Sequence, residues 1–254
     1  MELTERKLKI LQAIISDFIE GAEPVGSRSL AYRIGLGLSP ATIRNEMADL
    51  EEMGYLYHPH TSAGRVPTDR AYRLYVNQLM EKYELDQREK QRIRRALRSD
   101  IGQLERTLRE ASELLSEITN LTSFATMEKD ARDMSLFLQG MTRIFAHPEY
   151  STIEQARSFL EMVDDRDTLQ SAIVERPEGL QVTIGSENPV RIKPGSSIVT
   201  ATYYVDGRMV GRLGVIGPTR MRYSEVTSVI EYMTDNLDNA FRLEGGKEPD
   251  DTED

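Results

Sequence analysis

Ser39-Pro40-Ala41-Thr42-Ile43-Arg44-Asn45-Glu46-Met47-Ala48-Asp49-Leu50 is the stretch on which the reading of this chain turns. Ser39 offers an N-cap hydroxyl, and Pro40 occupies the first helical position, where a missing N–H costs nothing. Ile43, Met47 and Leu50 recur at the spacing of a buried stripe, while Ala41, Thr42, Arg44, Asn45 and Ala48 fall on the other side. Upstream, Gly35-Leu36-Gly37-Leu38 supplies a tight turn, Ser27 caps a short helix, and Pro24 closes an apolar-periodic one. Three helices in this order outline a helix-turn-helix. Small and hydrogen-bonding side chains on the exposed first turn of the third helix suit a major groove, where Arg pairs with guanine and Asn with adenine.

The residues that follow strengthen this reading, because a helix-turn-helix pattern alone is met in many helical cores. Gly54 is placed to stop the third helix in the left-handed conformation. Tyr55-Leu56-Tyr57-His58 reads as a short strand and Arg65-Val66 as its return partner. Between them, Pro59-His60-Thr61-Ser62-Ala63-Gly64 forms a polar tip able to project as a wing, with Arg65 beside it facing a phosphate or the minor groove.

The net charge of −10 looks wrong for a DNA reader until it is divided along the chain. Residues 1–80 carry 9 basic and 10 acidic side chains, residues 81–126 carry 9 of each, and residues 127–254 carry 14 and 23. Nearly all the excess therefore lies outside the reader, and phosphate affinity depends on local placement of Arg and Lys. Near-neutrality of the first 80 residues still argues against tight nonspecific binding. The 254 residues, 39% of them hydrophobic, are enough for two modest domains. The absence of cysteine excludes disulfides, thiolate metal sites and cysteine nucleophiles. With no secretory leader and no long apolar run, the expected location is cytoplasmic, away from membranes.

Thr68 can cap a fourth helix whose Tyr72, Tyr75, Val76 and Leu79 pack back on the winged unit. From Leu97 a heptad begins: Leu97, Leu104, Ala111 and Ile118 occupy one seam position, and Ile101, Leu108, Leu115 and Thr122 the other. Two readings stand at this point, an amphipathic helix lying on its own C-terminal domain or the seam of a homodimer. A reader of two half-sites needs two copies, which favours the seam.

The C-terminal region reads as α+β. Leu136–Phe145 is an apolar segment, helices are expected over Ile153–Val163 and Asp167–Ile173, and strands over Gly179–Ile184, Ser197–Val205 and Met209–Ile216. Asp206-Gly207 is a hairpin signal, and Ser224–Phe241 has the apolar face of a last helix. Gly207, Gly211 and Gly214 lie on that hairpin and form no dinucleotide fingerprint. His58-Pro59-His60 lacks a third nearby ligand, and Asp164-Asp165-Arg166-Asp167 reads as a helix junction, so neither a metal nor a cofactor nor catalysis is expected. Pro218-Thr219-Arg220-Met221-Arg222-Tyr223 is a helix-entry loop or a surface element able to meet an anion.

Several long motifs together resemble the HrcA-type heat-shock repressor family. They are Glu23-Pro24-Val25-Gly26-Ser27-Arg28, residues 39–51, Gly54-Tyr55-Leu56, Pro59 through Thr68, Val199-Thr200-Ala201-Thr202-Tyr203, and Gly214-Val215-Ile216-Gly217-Pro218-Thr219-Arg220-Met221. The resemblance covers residues 1–125 and 135–243. It implies an α+β chain with an N-terminal winged helix-turn-helix, a long heptad-patterned connecting helix and a reduced GAF-like C-terminal domain. The corresponding boundaries are 1–82, 83–122 and 123–243, followed by a disordered acidic tail at 244–254. It also implies a bacterial repressor of chaperone operons that binds double-stranded DNA at an inverted-repeat operator and is kept active by a GroEL-type chaperonin. Candidate DNA contacts are Ser27, Arg28, Ser39, Ala41, Thr42, Arg44, Asn45, His60, Thr61, Ser62 and Arg65. Candidate dimer contacts are Leu97, Ile101, Leu104, Leu108, Ala111, Leu115 and Ile118. The family carries a large inserted dimerisation segment in its GAF-like domain, but here the chain passes from Met127 through Asp133 straight into Leu136-Phe137-Leu138, so the insertion, with a strand or two, is expected to be missing. A ligand-gated regulator and a protein-interaction adaptor remain the alternatives.

Overall fold

Thr4 opens the first helix by accepting from the Lys7 N–H, and α1 (Glu5–Gly21) ends where Ala22 turns left-handed at φ 54°. The computed structural model describes residues 3–33, 35, 37–60, 63–97, 104–130, 133–188, 192, 195–205 and 207–245. α2 (Ser27–Arg33) follows, with Ser27 as its first residue rather than its cap; the hydroxyl engaged there is that of Ser29, which donates to the Gly26 carbonyl. α3 (Pro40–Glu52) begins at Ser39, whose Oγ accepts from the Thr42 N–H at 3.1 Å, and is followed by Gly54 at φ 77°. β1 (Leu56–Tyr57) and β2 (Val66–Pro67) pair antiparallel, and Val25 bridges Arg65 beside them. Ile10, Leu11, Ile14, Ile15, Leu30, Ile43 and Leu50 are wholly buried between the three helices.

α4 (Asp69–Leu74) is capped by Thr68 and runs on into a π-helical turn over Tyr75–Leu79. α5 (Gln87–Ala96) starts at an Asp86/Glu89 capping box, and α6 (Leu104–Thr119) leads into the sheet. Its strands are β3 (Thr122–Asp130), β4 (Asp133–Gln139), β5 (Gln181–Thr183), β6 (Ser196–Val205) and β7 (Arg208–Pro218), in the antiparallel order β4-β3-β7-β6-β5. α7 (Ile153–Asp164) and α8 (Arg166–Val174) cross between β4 and β5, and α9 (Tyr223–Gly245) closes the fold. Counted within the domain the order is 2-1-5-4-3, the GAF-like arrangement.

Strand alternation sends neighbouring side chains into two cores. Val199, Tyr203, Leu213 and Val215 join Leu108, Leu115, Val229 and Met233 beneath α6 and α9. Ile198 and Ile216 join Phe159, Leu169 and Ile173 beneath α7 and α8. Because both faces are covered, β6 is buried from Ser196 through Tyr203.

The long connecting helix expected over 83–122 is replaced by the pair α5 and α6, which pack side by side. Arg92 and Glu117 form an ion pair although 25 residues separate them; in one straight helix they would stand about 37 Å apart. The residues assigned to a homodimer seam are spent inside the chain. Leu97, Leu108, Ala111 and Leu115 are buried in its own core, Leu104 and Ile118 pack against that core, and Thr122 opens β3. Ile101 lies outside the described residues. The physical reason is proximity: the inner face of the sheet exposes an apolar surface of matching width within the same chain, and a heptad stripe covers it as well as it would a second helix.

Candidate nucleic-acid interface

The first turn of α3 combines a rigid start with an open outer face. The Ser39 hydroxyl caps Thr42 and also lies 2.9 Å from the Thr42 hydroxyl, which fixes the helix entry. Ala41, Arg44 and Asn45 are exposed and Thr42 is half-buried. On α2, Arg28 is exposed and Ser27 half-buried. Among the described residues no carboxylate pairs with Arg28 or Arg44, so both guanidinium groups keep their full donor capacity for an anionic or base-edge partner.

The inner face explains how α3 is held at its angle. Ile43, Met47 and Leu50 sink into the core, but so does Glu46, which is 5% exposed. Its carboxylate meets Arg6 at 2.5 Å and Lys7 at 2.8 Å, and Lys7 also reaches Asp49 at 2.8 Å. These α1 cations compensate a charge that would otherwise be expensive to bury. They were missed by the sequence reading. A Glu between Ile43 and Met47 in an apolar stripe was the available signal, since such a residue demands a cationic partner.

The wing is fastened to the same helix. Gly64 runs against the backbone of Val25 so closely that a Cβ there would lie 2.4 Å from the Val25 carbonyl. Arg65 exchanges backbone hydrogen bonds with Val25 at 2.9 Å in each direction, and its guanidinium meets Glu51 of α3 at 2.9 Å. Glu51 also holds the His58 ring, 3.1 Å away. Arg65, expected to meet a phosphate or the minor groove, ties wing to helix here, with its side chain only 13% exposed. His60 is exposed at the tip; Thr61 and Ser62 lie outside the described residues. Below the wing, Arg70 stacks over the Tyr55 ring at 4.6 Å and donates to the Met53 carbonyl at the end of α3.

A capped helix with a free polar first turn, braced by a wing, is the geometry of a DNA reader. A family model described as the winged helix-turn-helix transcription repressor, HrcA DNA-binding, matches residues 2–81, and one described as the HrcA protein C terminal domain matches residues 73–227. The chain belongs to the HrcA family. The heat-inducible transcription repressor HrcA of Clostridioides difficile is 34% identical across 92% of this chain and 98% of its own length. The repressor of the same name from Alkaliphilus metalliredigens is 36% identical across 91% of this chain and 95% of its own. The first of these alignments runs over 333 positions although about 234 residues of this chain take part, so about a hundred positions face no residue here. Relative to that HrcA the chain is a short form. Where the shortfall was expected, β3 and β4 pair antiparallel, with Asp130 opposite Asp133. A crystal structure described as that of a hypothetical protein at 2.2 Å resolution shares the fold, with a TM-score of 0.77 at 21% identity over 96% of this chain and all of its own. HrcA-family membership makes this chain a DNA-binding transcription repressor, and no helix among the described residues is long and apolar enough to cross a membrane.

Proposed function

We propose that this chain represses heat-shock chaperone operons in the cytoplasm as a homodimer on an inverted-repeat operator. Each copy sets α3 into a major groove, the two grooves lying about 34–36 Å apart on one face of the duplex, and polymerase is excluded without any chemistry. The observation that carries this reading is the first turn of α3, where Ala41, Arg44 and Asn45 stand exposed with Arg44 unpaired among the described residues. The copies join through a surface other than the apolar stripe of α6, which the chain's own sheet occupies. Heat releases repression as the C-terminal domain opens ahead of the winged unit, and a GroEL-type chaperonin returns it to the active form. A footprint of the purified protein upstream of chaperonin genes tests the reading: protection of both arms of an inverted repeat, lost after a heat pulse and regained with chaperonin and ATP, is expected. Absence of protection at any such repeat sinks it.

One observation favours a second reading, in which a small ligand sets activity. A cavity of about 800 Å³ lies between residues 82–85, β6 and α9, and Tyr232, one of its lining residues, has a buried hydroxyl with no hydrogen-bond partner among the described residues. A ligand-dependent rise in melting temperature that tracks operator affinity distinguishes this reading from control by heat.

A further inference from the structure

Asp69 and Arg73, one turn apart on α4, grip the loop after β5. The Ser186 N–H donates to Asp69 Oδ2 at 2.8 Å. Arg73 donates through Nε to Glu187 Oε1 at 2.7 Å and through Nη2 to the Val182 carbonyl at 2.6 Å, and Nη2 also meets the second oxygen of Glu187. That oxygen accepts from the Ile184 N–H as well, so the carboxylate is fixed from both sides. Gly185 stands at φ 48°, and a Cβ on it would fall 2.2 Å from the Asp69 carboxylate. The loop is thus shaped to take α4.

Other contacts of the same junction surround this grip. The rings of Tyr72 and Tyr223 lie 6.0 Å apart, Arg220 donates to the Ile19 carbonyl at the end of α1, and Ser224 donates to the Glu81 carbonyl. None of these contacts uses α3 or the wing. The junction holds the reading unit against the C-terminal body while leaving the DNA-facing side free.

We propose that Asp69 and Arg73 are positioning residues that set the spacing between the two half-sites. The inference rests on the two-copy reading above, with the copies joined through their bodies. Side chains on α3 choose the bases, but the distance and angle between two α3 helices depend on how firmly each reading unit is mounted. Each base pair inserted between half-sites moves one arm by about 3.4 Å and turns it by about 35°. A unit held by a fork-to-fork Arg–carboxylate pair and a backbone hydrogen bond resists that rotation, and one released from them follows it more readily.

The test uses the full chain and duplexes carrying both half-sites, with the central spacing natural or changed by one or two base pairs, together with a single half-site. Wild type should lose at least about tenfold in affinity two base pairs from its optimum. Asp69→Ala combined with Arg73→Ala should flatten that profile to within about threefold while half-site affinity and base preference stay unchanged. If the double alanine variant fails to fold by circular dichroism, Glu187→Gln decides, with a broadened profile expected. A folded variant with the wild-type profile, or an equal loss at every spacing and at the half-site, overturns the positioning role. A wild-type protein with no spacing optimum contradicts the two-copy reading itself.

Discussion

α3 and α6 carry the same kind of sequence signal and end in different roles. Each has an apolar stripe at helical spacing and an opposite face without large apolar side chains. α3 buries Ile43, Met47 and Leu50 and leaves Arg44 and Asn45 at its first turn exposed. α6 buries Leu108, Ala111 and Leu115 against the sheet, while its polar side is occupied by Arg106–Glu110 and by the Arg92–Glu117 pair that seats α5. An amphipathic helix advertises only that something must cover its stripe. What remains on the other side, paired or unpaired, decides what the helix is for.

The comparison is broken most severely at Leu108. Leu108→Asp puts an uncompensated charge into a site with no exposure, at a cost of about 4 kcal/mol or more. Denaturant unfolding should show the C-terminal domain lost at low denaturant. A variant that stays folded and merely dissociates to monomers in light scattering returns the stripe to a seam between copies.

Arg44→Ala and Asn45→Ala attack the other helix. Each should cost about 1–3 kcal/mol of specific operator binding and relax base preference, with stability almost unchanged because both side chains are exposed. Equal losses on specific and scrambled duplexes would mean that α3 is not the base reader.

Arg65 sharpens the contrast between reading and bracing. If it acts by tying the wing to α3, Glu51→Gln should weaken binding as Arg65→Ala does, each by about 1 kcal/mol. If Arg65 instead turns to a phosphate on DNA, Glu51→Gln frees it and binding holds or improves, while Arg65→Ala alone lowers the salt dependence.

The smallest effect is at the junction. Burial opposes ionisation of Glu187, but hydrogen bonds from Arg73 and the Ile184 N–H outweigh it and hold the carboxyl below its ordinary value of 4.5. A depressed folded pKa means stability that is fully present above the ordinary value and lost as pH falls through the folded one. With both side chains about one-third exposed the contribution stays under about 1 kcal/mol. Stability measured from pH 6 down to about 3 should fall less steeply in Glu187→Gln than in wild type.

Much of this was legible from residues alone. Ser39-Pro40 announced α3, Gly54 its end, and the Asp206-Gly207 hairpin signal the two long strands on either side of it. β3 was hidden because Thr122 also completes a heptad, and β4 because Leu136–Phe145 joins strand and following 3₁₀ turn in one apolar run. Glu46 was passed over beside two obvious apolar neighbours. Arg65 stands at the wing as its place in the sequence indicates, and its pairing with Glu51 had no signal there.

Local chemistry by itself determined where helices start and stop, which face of each is apolar, and that residues 39–66 form a helix with a wing. Those features depend on caps, glycine conformations and periodicity within a few residues. Only the tertiary structure decided that the heptad stripe lies on the chain's own sheet, that Glu46 and Arg65 brace the reading helix, and that Asp69 and Arg73 hold the loop over 182–187. Each of those outcomes depends on which of several chemically acceptable partners, tens of residues away, the fold brings within reach of a hydrogen bond or of van der Waals contact.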